Sequence, residues 1–306
     1  MDYEQALQAV EQKMLAVVDS EVTVLRDASR HILSAGGKRM RPRLTLLAYE
    51  AVGGQSVSDV IPVAAAVELV HTATLVHDDI NDHGTLRRGR QTINAIWGRT
   101  FALLTGDFLF TKVYTLMAPY GDLNMVFAEM TAALVEGETL QAVAAKSGEL
   151  NRETYAQIIA KKTASLFGGA ARMGAMLGGG TPEQIAALEQ YGFNLGLAFQ
   201  ITDDILDLIA DSKTLGKSAG IDVAQGKGFA IASGTGASPA AAVAVAEADP
   251  VAAFKRKLLT GNYIEEGRQN ARQLVVLAEM SLSVLPASTA LDELRALARQ
   301  AVERDH

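Results

Sequence analysis

Apolar residues recur at intervals of three and four through nearly the whole chain, the period of a helix with one buried face. Few runs alternate in the manner of a strand. Read this way, the pattern predicts helices near 2–18, 21–34, 41–52, 58–80, 92–98, 100–118, 121–146, 151–178, 183–211, 240–258, 262–279 and 289–303. Gly178-Gly179-Gly180 closes one helix and Thr181-Pro182-Glu183-Gln184 opens the next, with Thr181 as N-cap and Pro182 in the first turn. The fold class is all-α. No Pro/Ser-rich or charged linker divides the chain, so a single domain over 1–306 is expected.

Composition narrows the picture. Apolar residues make up 49% of 306, enough for a sizeable core. A net charge of −7 disfavours general adhesion to nucleic acid or to an anionic membrane surface, so basic residues must act locally. The chain has no cysteine, which excludes disulfides, thiolate metal sites and thiol nucleophiles and agrees with a reducing cytoplasm. Its acidic start, Met1 to Gln5, has no apolar signal core, so no export is expected. The longest uncharged stretch, Gly228 to Ala246, contains glycine, serine and Pro239 and is no membrane span. Residues 228–248 are weakly amphipathic and are expected to be partly mobile.

Chemistry enters with two aspartate clusters of one spacing: Asp78-Asp79-Ile80-Asn81-Asp82, and Asp203-Asp204-Ile205-Leu206-Asp207 about 125 residues later. Residues four apart share a helix face, so Asp78 stacks with Asp82, and Asp203 with Asp207 and, one turn on, Asp211. Stacked carboxylates repel and call for a counter-charge from outside, of which Mg²⁺ is the natural candidate. Three cationic groups accompany them. Gly36-Gly37-Lys38-Arg39-Met40-Arg41 crowds three cations before a helix, Leu86-Arg87-Arg88-Gly89-Arg90 follows the first cluster, and Lys161-Lys162-Thr163, Lys217 and Lys227 are dispersed later. Guanidinium and ammonium groups beside metal-binding carboxylates imply a diphosphate ligand. A solvated charge run is the bland reading of each group taken alone. His71 lies two helical turns before Asp78, and ligand contact competes there with a satisfied core histidine; His77 is read as a local hydrogen-bond partner with no assigned role.

Taken in order, Gly36-Gly37-Lys38-Arg39-Met40-Arg41-Pro42, His71 through Asp79, Leu86-Arg87-Arg88-Gly89-Arg90, Gly106-Asp107-Phe108-Leu109, Lys162-Thr163-Ala164 and Phe199-Gln200-Ile201-Thr202-Asp203-Asp204 resemble the trans-type polyprenyl diphosphate synthases. The likeness runs from about residue 10 to the end, through Leu285-Pro286-Ala287-Ser288. It implies an all-helical isoprenoid synthase bundle around an apolar cavity, with the two clusters facing each other at its mouth, and usually a homodimer. It also implies a prenyltransferase that condenses isopentenyl diphosphate with an allylic prenyl diphosphate. Carried over by position, Asp78, Asp82 and Asp203 hold Mg²⁺ with Asp79, Asp204 and Asp207 in support. The catalytic group is Asp78, Asp82, Asp203 and Lys162. Lys38, Arg41, His71 and Arg88 take isopentenyl diphosphate; Arg87, Lys162, Thr163, Gln200, Lys217 and Lys227 take the allylic partner.

The resemblance further places Ala73 and Thr74 at the cavity floor, where small side chains let a long product pass. Long-chain members, of roughly six to ten isoprene units, are the nearest match. A short-chain synthase or a noncatalytic subunit of a heteromeric synthase is the alternative, and a class I terpene cyclase would need no second diphosphate pocket. After Lys227 the chain departs from the family, reading Gly228-Phe229-Ala230 where a threonine and a proline are usual. Glycine there costs about 1 kcal/mol of helix propensity relative to alanine.

Overall fold

The computed structural model describes residues 2–147, 149–209 and 262–303. Within them the helices run α1 (Tyr3–Val17), α2 (Thr23–Leu33), α3 (Met40–Ala51), α4 (Val57–Asn81), α5 (Ile93–Trp97), α6 (Arg99–Met117), α7 (Leu123–Ser147), α8 (Arg152–Ile159), α9 (Ser165–Leu177), α10 (Pro182–Ile209), α11 (Tyr263–Ser281) and α12 (Thr289–Val302). The all-α class expected from the periodicity holds, and the predicted helices fall within a few residues of these. The predicted helix at 240–258 and the segment 228–248 lie outside the described residues.

Helix ends follow local chemistry. Thr181 Oγ1 accepts from Gln184 N at 3.3 Å while Gln184 Oε1 accepts from Thr181 N at 2.9 Å, a reciprocal capping box at the start of α10. Just before it, Gly179 takes φ +78° and Gly180 N–H returns to Ala175 O at 3.0 Å, closing α9. Asn151 caps α8 by accepting from Thr154 N at 2.8 Å.

Two features break the helical pattern. Leu86–Arg87 pairs antiparallel with Arg90–Gln91 as β1 and β2. The two residues between them, Arg88 and Gly89, have φ +52° and +72°, the signature of a type I′ turn. Between α8 and α9 the residues Ala160–Ala164 form one π-helical turn, a rare form that tends to occur at functional sites.

The chain forms two compact units, one of Met1–Ala128, Gly169–Glu189 and Val284–Leu294, the other of Glu129–Gly168, Gln190–Ser283 and Arg295–His306. The divisions at 128/129, 168/169, 189/190 and 294/295 fall inside α7, α9, α10 and α12. In the first unit α4 is the core helix, with Val63 through Val67 and Leu69 wholly buried. It is long and apolar enough to cross a bilayer, yet 67% of its most apolar stretch is buried inside the fold, the behaviour of a core helix. In the same unit, α3 lies so close to α9 that a Cβ on Gly174 would collide with Thr45 O, and one on Gly178 would sit 2.5 Å from Tyr49 O. Arg43 joins Glu293 at 2.6 Å, tying α3 to the start of α12.

Candidate active site

The first aspartate cluster sits where α4 ends. Asp82 caps the helix, its N–H donating to Asp78 O at 2.8 Å, so Asp78 and Asp82 stand one turn apart. A helix C-terminus carries partial negative charge, which makes it an unfavourable place for carboxylates and raises their demand for cations. Asp79 turns inward, 4% exposed, and its Oδ1 accepts from Arg87 Nε at 2.8 Å. Burial pushes the Asp79 carboxyl up to about 6; Arg87 opposes the shift, and Asp78 and Asp82 add to it. Arg87 thus comes from the hairpin to a carboxylate of the cluster.

Arg88, at the turn of that hairpin, reaches back to the glycine loop. Its Nη1 donates to Gly36 O, and Gly37 beside it has φ +145°, a backbone conformation that favours glycine. Arg39 departs from the sequence reading. The charge run as a whole is expected to face an anion, with Lys38 and Arg41 the assigned contacts; Arg39, which carries no assigned role, adopts φ +47° and turns into the fold, 7% exposed. It donates to Glu11 Oε1 and Glu68 Oε1, both at 2.9 Å, and to Leu33 O at 2.8 Å. Of that group Lys38 is exposed and Arg41 buried. His71 feels four guanidinium groups: burial first, then Arg41, Arg88, Arg87 and Arg39, hold its pKa well below the ordinary histidine range. His71 is therefore neutral at physiological pH in a strongly positive field.

The Gly106-Asp107 string has a packing reason. A Cβ on Gly106 would collide with His77 Nε2, so the glycine lets α6 seat the imidazole. His77 Nε2 sits 3.3 Å from Leu103 O and 3.5 Å from Asp107 Oδ1, the local partner role read from sequence. At the expected floor positions Ala73 is fully enclosed, and Thr74 Oγ1 donates to His71 O at 2.8 Å.

In the second unit α10 carries Asp203, Asp204 and Asp207, with Asp207 buried. Asp204 is held at both oxygens: Tyr155 OH donates to Oδ2 and Gln200 Nε2 to Oδ1, each at 2.7 Å. Gln200 Oε1 in turn accepts from Thr163 Oγ1 at 2.8 Å. The π turn presents Lys161, Lys162 and Thr163. Lys162 Nζ contacts Gln141 Oε1 and Glu138 Oε1, both at 2.8 Å, and Lys161 pairs with Glu136. A Cβ on Gly137 would collide with Lys162 N, so α7 meets the π turn at a glycine. Lys217, Lys227 and Asp211 lie outside the described residues. Tyr155, Glu138, Gln141 and Gly137 were not found by sequence reasoning; the one available signal was that Tyr155 precedes Lys162 by seven residues, two helical turns.

The donor chemistry fits Mg²⁺. Among the described residues no group of three or more histidines or acids converges tightly enough to hold an ion alone. Mg²⁺ does not require one, since it binds through one or two carboxylates and completes its shell with water and phosphate oxygens. Asp78 with Asp82, and Asp203 with Asp207, supply such oxygen pairs one turn apart.

An all-α chain with two Asp-Asp-x-x-Asp clusters and several groups of cations has the donor set of a metal-assisted diphosphate enzyme. Comparison with known proteins gives the family: the polyprenyl synthetase model matches residues 22–241, and the chain belongs to this family of prenyltransferases of isoprenoid biosynthesis. It is 45% identical over 211 residues to the short chain isoprenyl diphosphate synthase of Methanothermobacter thermautotrophicus, covering 67% of this chain and 64% of that one. To the octaprenyl diphosphate synthase of Escherichia coli K12 it is 40% identical over 225 residues, covering 73% and 69%. The polyprenyl synthase of Caulobacter crescentus CB15, crystallised with calcium and isoprenyl diphosphate, superposes with a TM-score of 0.92 at 32% identity, covering 99% of this chain and 96% of that one. The heptaprenyl diphosphate synthase of Staphylococcus aureus gives 0.93 at 28% identity, covering 100% and 99%.

Proposed function

We propose that this chain is a trans-polyprenyl diphosphate synthase that adds isopentenyl diphosphate head-to-tail to an allylic diphosphate and yields a long-chain product. The observation that carries the two-substrate reading is neutral His71 in the field of Arg41, Arg88, Arg87 and Arg39. A terpene cyclase has no use for that second anion site. Lys38, Arg41, His71 and Arg88 bind isopentenyl diphosphate, a neutral imidazole contributing one N–H donor rather than a charge. Arg87, Lys162, Thr163, Gln200, Lys217 and Lys227 bind the allylic diphosphate. Asp78, Asp82 and Asp203, with Asp79, Asp204 and Asp207, are the groups that would hold Mg²⁺. Bound there, Mg²⁺ supplies electrostatic stabilisation to the departing diphosphate.

The allylic C–O bond breaks as negative charge builds on the leaving diphosphate, which Arg87 and Lys162 stabilise. The double bond of isopentenyl diphosphate, aligned by its own pocket, then attacks the allylic carbon, and a proton passes from the adduct to the released diphosphate. No side-chain nucleophile takes part.

Small residues at 73 and 74 support the long product. The octaprenyl and heptaprenyl relatives agree with it, while the short chain relative keeps a shorter product as the second reading. A homodimer is supported by the apolar side chains that α5 and α6 leave exposed, among them Ile96, Phe101, Leu104 and Tyr114. Helices shared by the two units favour one domain, and the cysteine-free composition agrees with a cytoplasmic setting.

The test is product analysis with Mg²⁺, labelled isopentenyl diphosphate and farnesyl diphosphate, sizing the dephosphorylated prenols. A ladder ending at one long prenol supports the proposal. A stop at three or four units converts it to a short-chain synthase, and no condensation overturns it in favour of a noncatalytic subunit. In the same assay Ala73→Phe should shorten the product; because Ala73 is fully enclosed, unchanged length would remove it from the floor.

A further inference from the structure

We propose that Tyr155 is a positioning residue that, through its hydroxyl, fixes the orientation of the Asp204 carboxylate and thereby the metal affinity of the second aspartate cluster. Tyr155 is 6% exposed on α8, and a buried phenol needs a partner for its O–H. It finds Asp204 Oδ2 at 2.7 Å, 49 residues away. Gln200 N–H takes the other oxygen at the same distance, and with its amide fixed in that sense its Oε1 faces the Thr163 hydroxyl at 2.8 Å. Every hydrogen bond in the network therefore has one direction: Thr163 donates to Gln200, and Gln200 and Tyr155 both donate to Asp204.

The donors are neutral. Neither cancels the charge of Asp204 as an arginine would, while two short bonds to an anion set its plane. Removing the Tyr155 hydroxyl takes away one donor and no charge, which separates orientation from electrostatics. Thr163 and Gln200 belong to the proposed allylic diphosphate site, so the inference rests on that reading of the site.

The test uses Tyr155→Phe, which keeps the ring and its packing. Bound Mn²⁺ is followed by electron paramagnetic resonance in the presence of inorganic diphosphate, alongside kcat and KM in the prenyl-transfer assay. We expect Mn²⁺ affinity to fall several-fold and kcat about tenfold, with KM for isopentenyl diphosphate unchanged and the protein still folded at the assay temperature. A Mn²⁺ titration and kcat matching the parent protein would overturn the proposal and leave Tyr155 a packing residue. If the parent protein condenses no prenyl substrate, the functional reading fails by itself, and the Mn²⁺ comparison still decides the role of Tyr155. Should Tyr155→Phe not fold, 3-fluorotyrosine placed at 155 alone gives a second readout. Its fluorine resonance should shift on adding Mg²⁺ with inorganic diphosphate, and an unmoved resonance overturns the proposal.

Discussion

The two aspartate clusters have one spacing and two kinds of support. Around the first, Arg87 neutralises buried Asp79, and three more arginines join it in the field at His71. Around the second, Asp204 is held by the neutral donors Tyr155 and Gln200, and the nearby lysines already pair with Glu136 and Glu138. A repeated motif in sequence is thus no repeated site. At the first cluster a guanidinium meets the buried carboxylate of Asp79; at the second, uncharged donors reach both oxygens of Asp204.

If that contrast is right, removing charge from the second cluster does the greatest harm. Asp203→Asn should lower kcat roughly a hundredfold or more, with KM for isopentenyl diphosphate little changed. A loss under about threefold would show that the second cluster is dispensable.

Next in size is a stability effect confined to the first cluster. Arg87→Gln takes the guanidinium from the buried Asp79 carboxyl, which must then stay unpaired or take up a proton, and should destabilise the fold by about 2 kcal/mol. Lys161→Gln, whose pair with Glu136 is exposed, should stay within about 0.5 kcal/mol. Urea midpoints at constant slope compare the two, and equal losses would erase the distinction between buried and exposed pairing.

The smallest effect is a titration. His71 has a folded pKa below the ordinary value near 6.5, so the unfolded chain takes up a proton first as pH falls. Its contribution to stability is present above about pH 6.5 and is lost as pH drops through that value towards the folded pKa. Proton resonances of His71 should titrate low in the ligand-free protein and move upward when inorganic diphosphate offsets the arginines. A His71 that titrates near the ordinary histidine value or higher without ligand would contradict the positive field.

Much of this architecture is written in local sequence. The three- and four-residue period places the helices, and Thr181-Pro182-Glu183-Gln184 marks the start of α10 to the residue. What escaped depends on partners distant in the chain or on backbone states without a strong residue signal. The hairpin turns on Arg88-Gly89, whereas the strong sequence signal for such a turn is Asn-Gly or Asp-Gly. Arg39 resembles its neighbours in a charge run, and only its left-handed backbone turns it towards Glu11 and Glu68. Tyr155 looks like any aromatic on a helix face until α10 brings Asp204 to it. The aspartate clusters were legible because their chemistry is repeated within four residues, and their supports were not because those are assembled by packing.

The π turn at Ala160–Ala164 has a consequence for how this chain could lose its activity. A five-residue hydrogen-bond step holds one residue more than the α-helical path it replaces, so the helices on either side keep the phase they would have if that residue were absent. Deleting Ala160 should therefore join α8 and α9 into an ordinary continuous helix, with the faces of Tyr155 and Phe167 still in register. Lys161, Lys162 and Thr163, the residues within the turn, would lose the placement that the extra residue gives them. Loss of a single codon would then yield a chain that folds, melts normally and no longer transfers a prenyl group, a short mutational step from enzyme to inert scaffold.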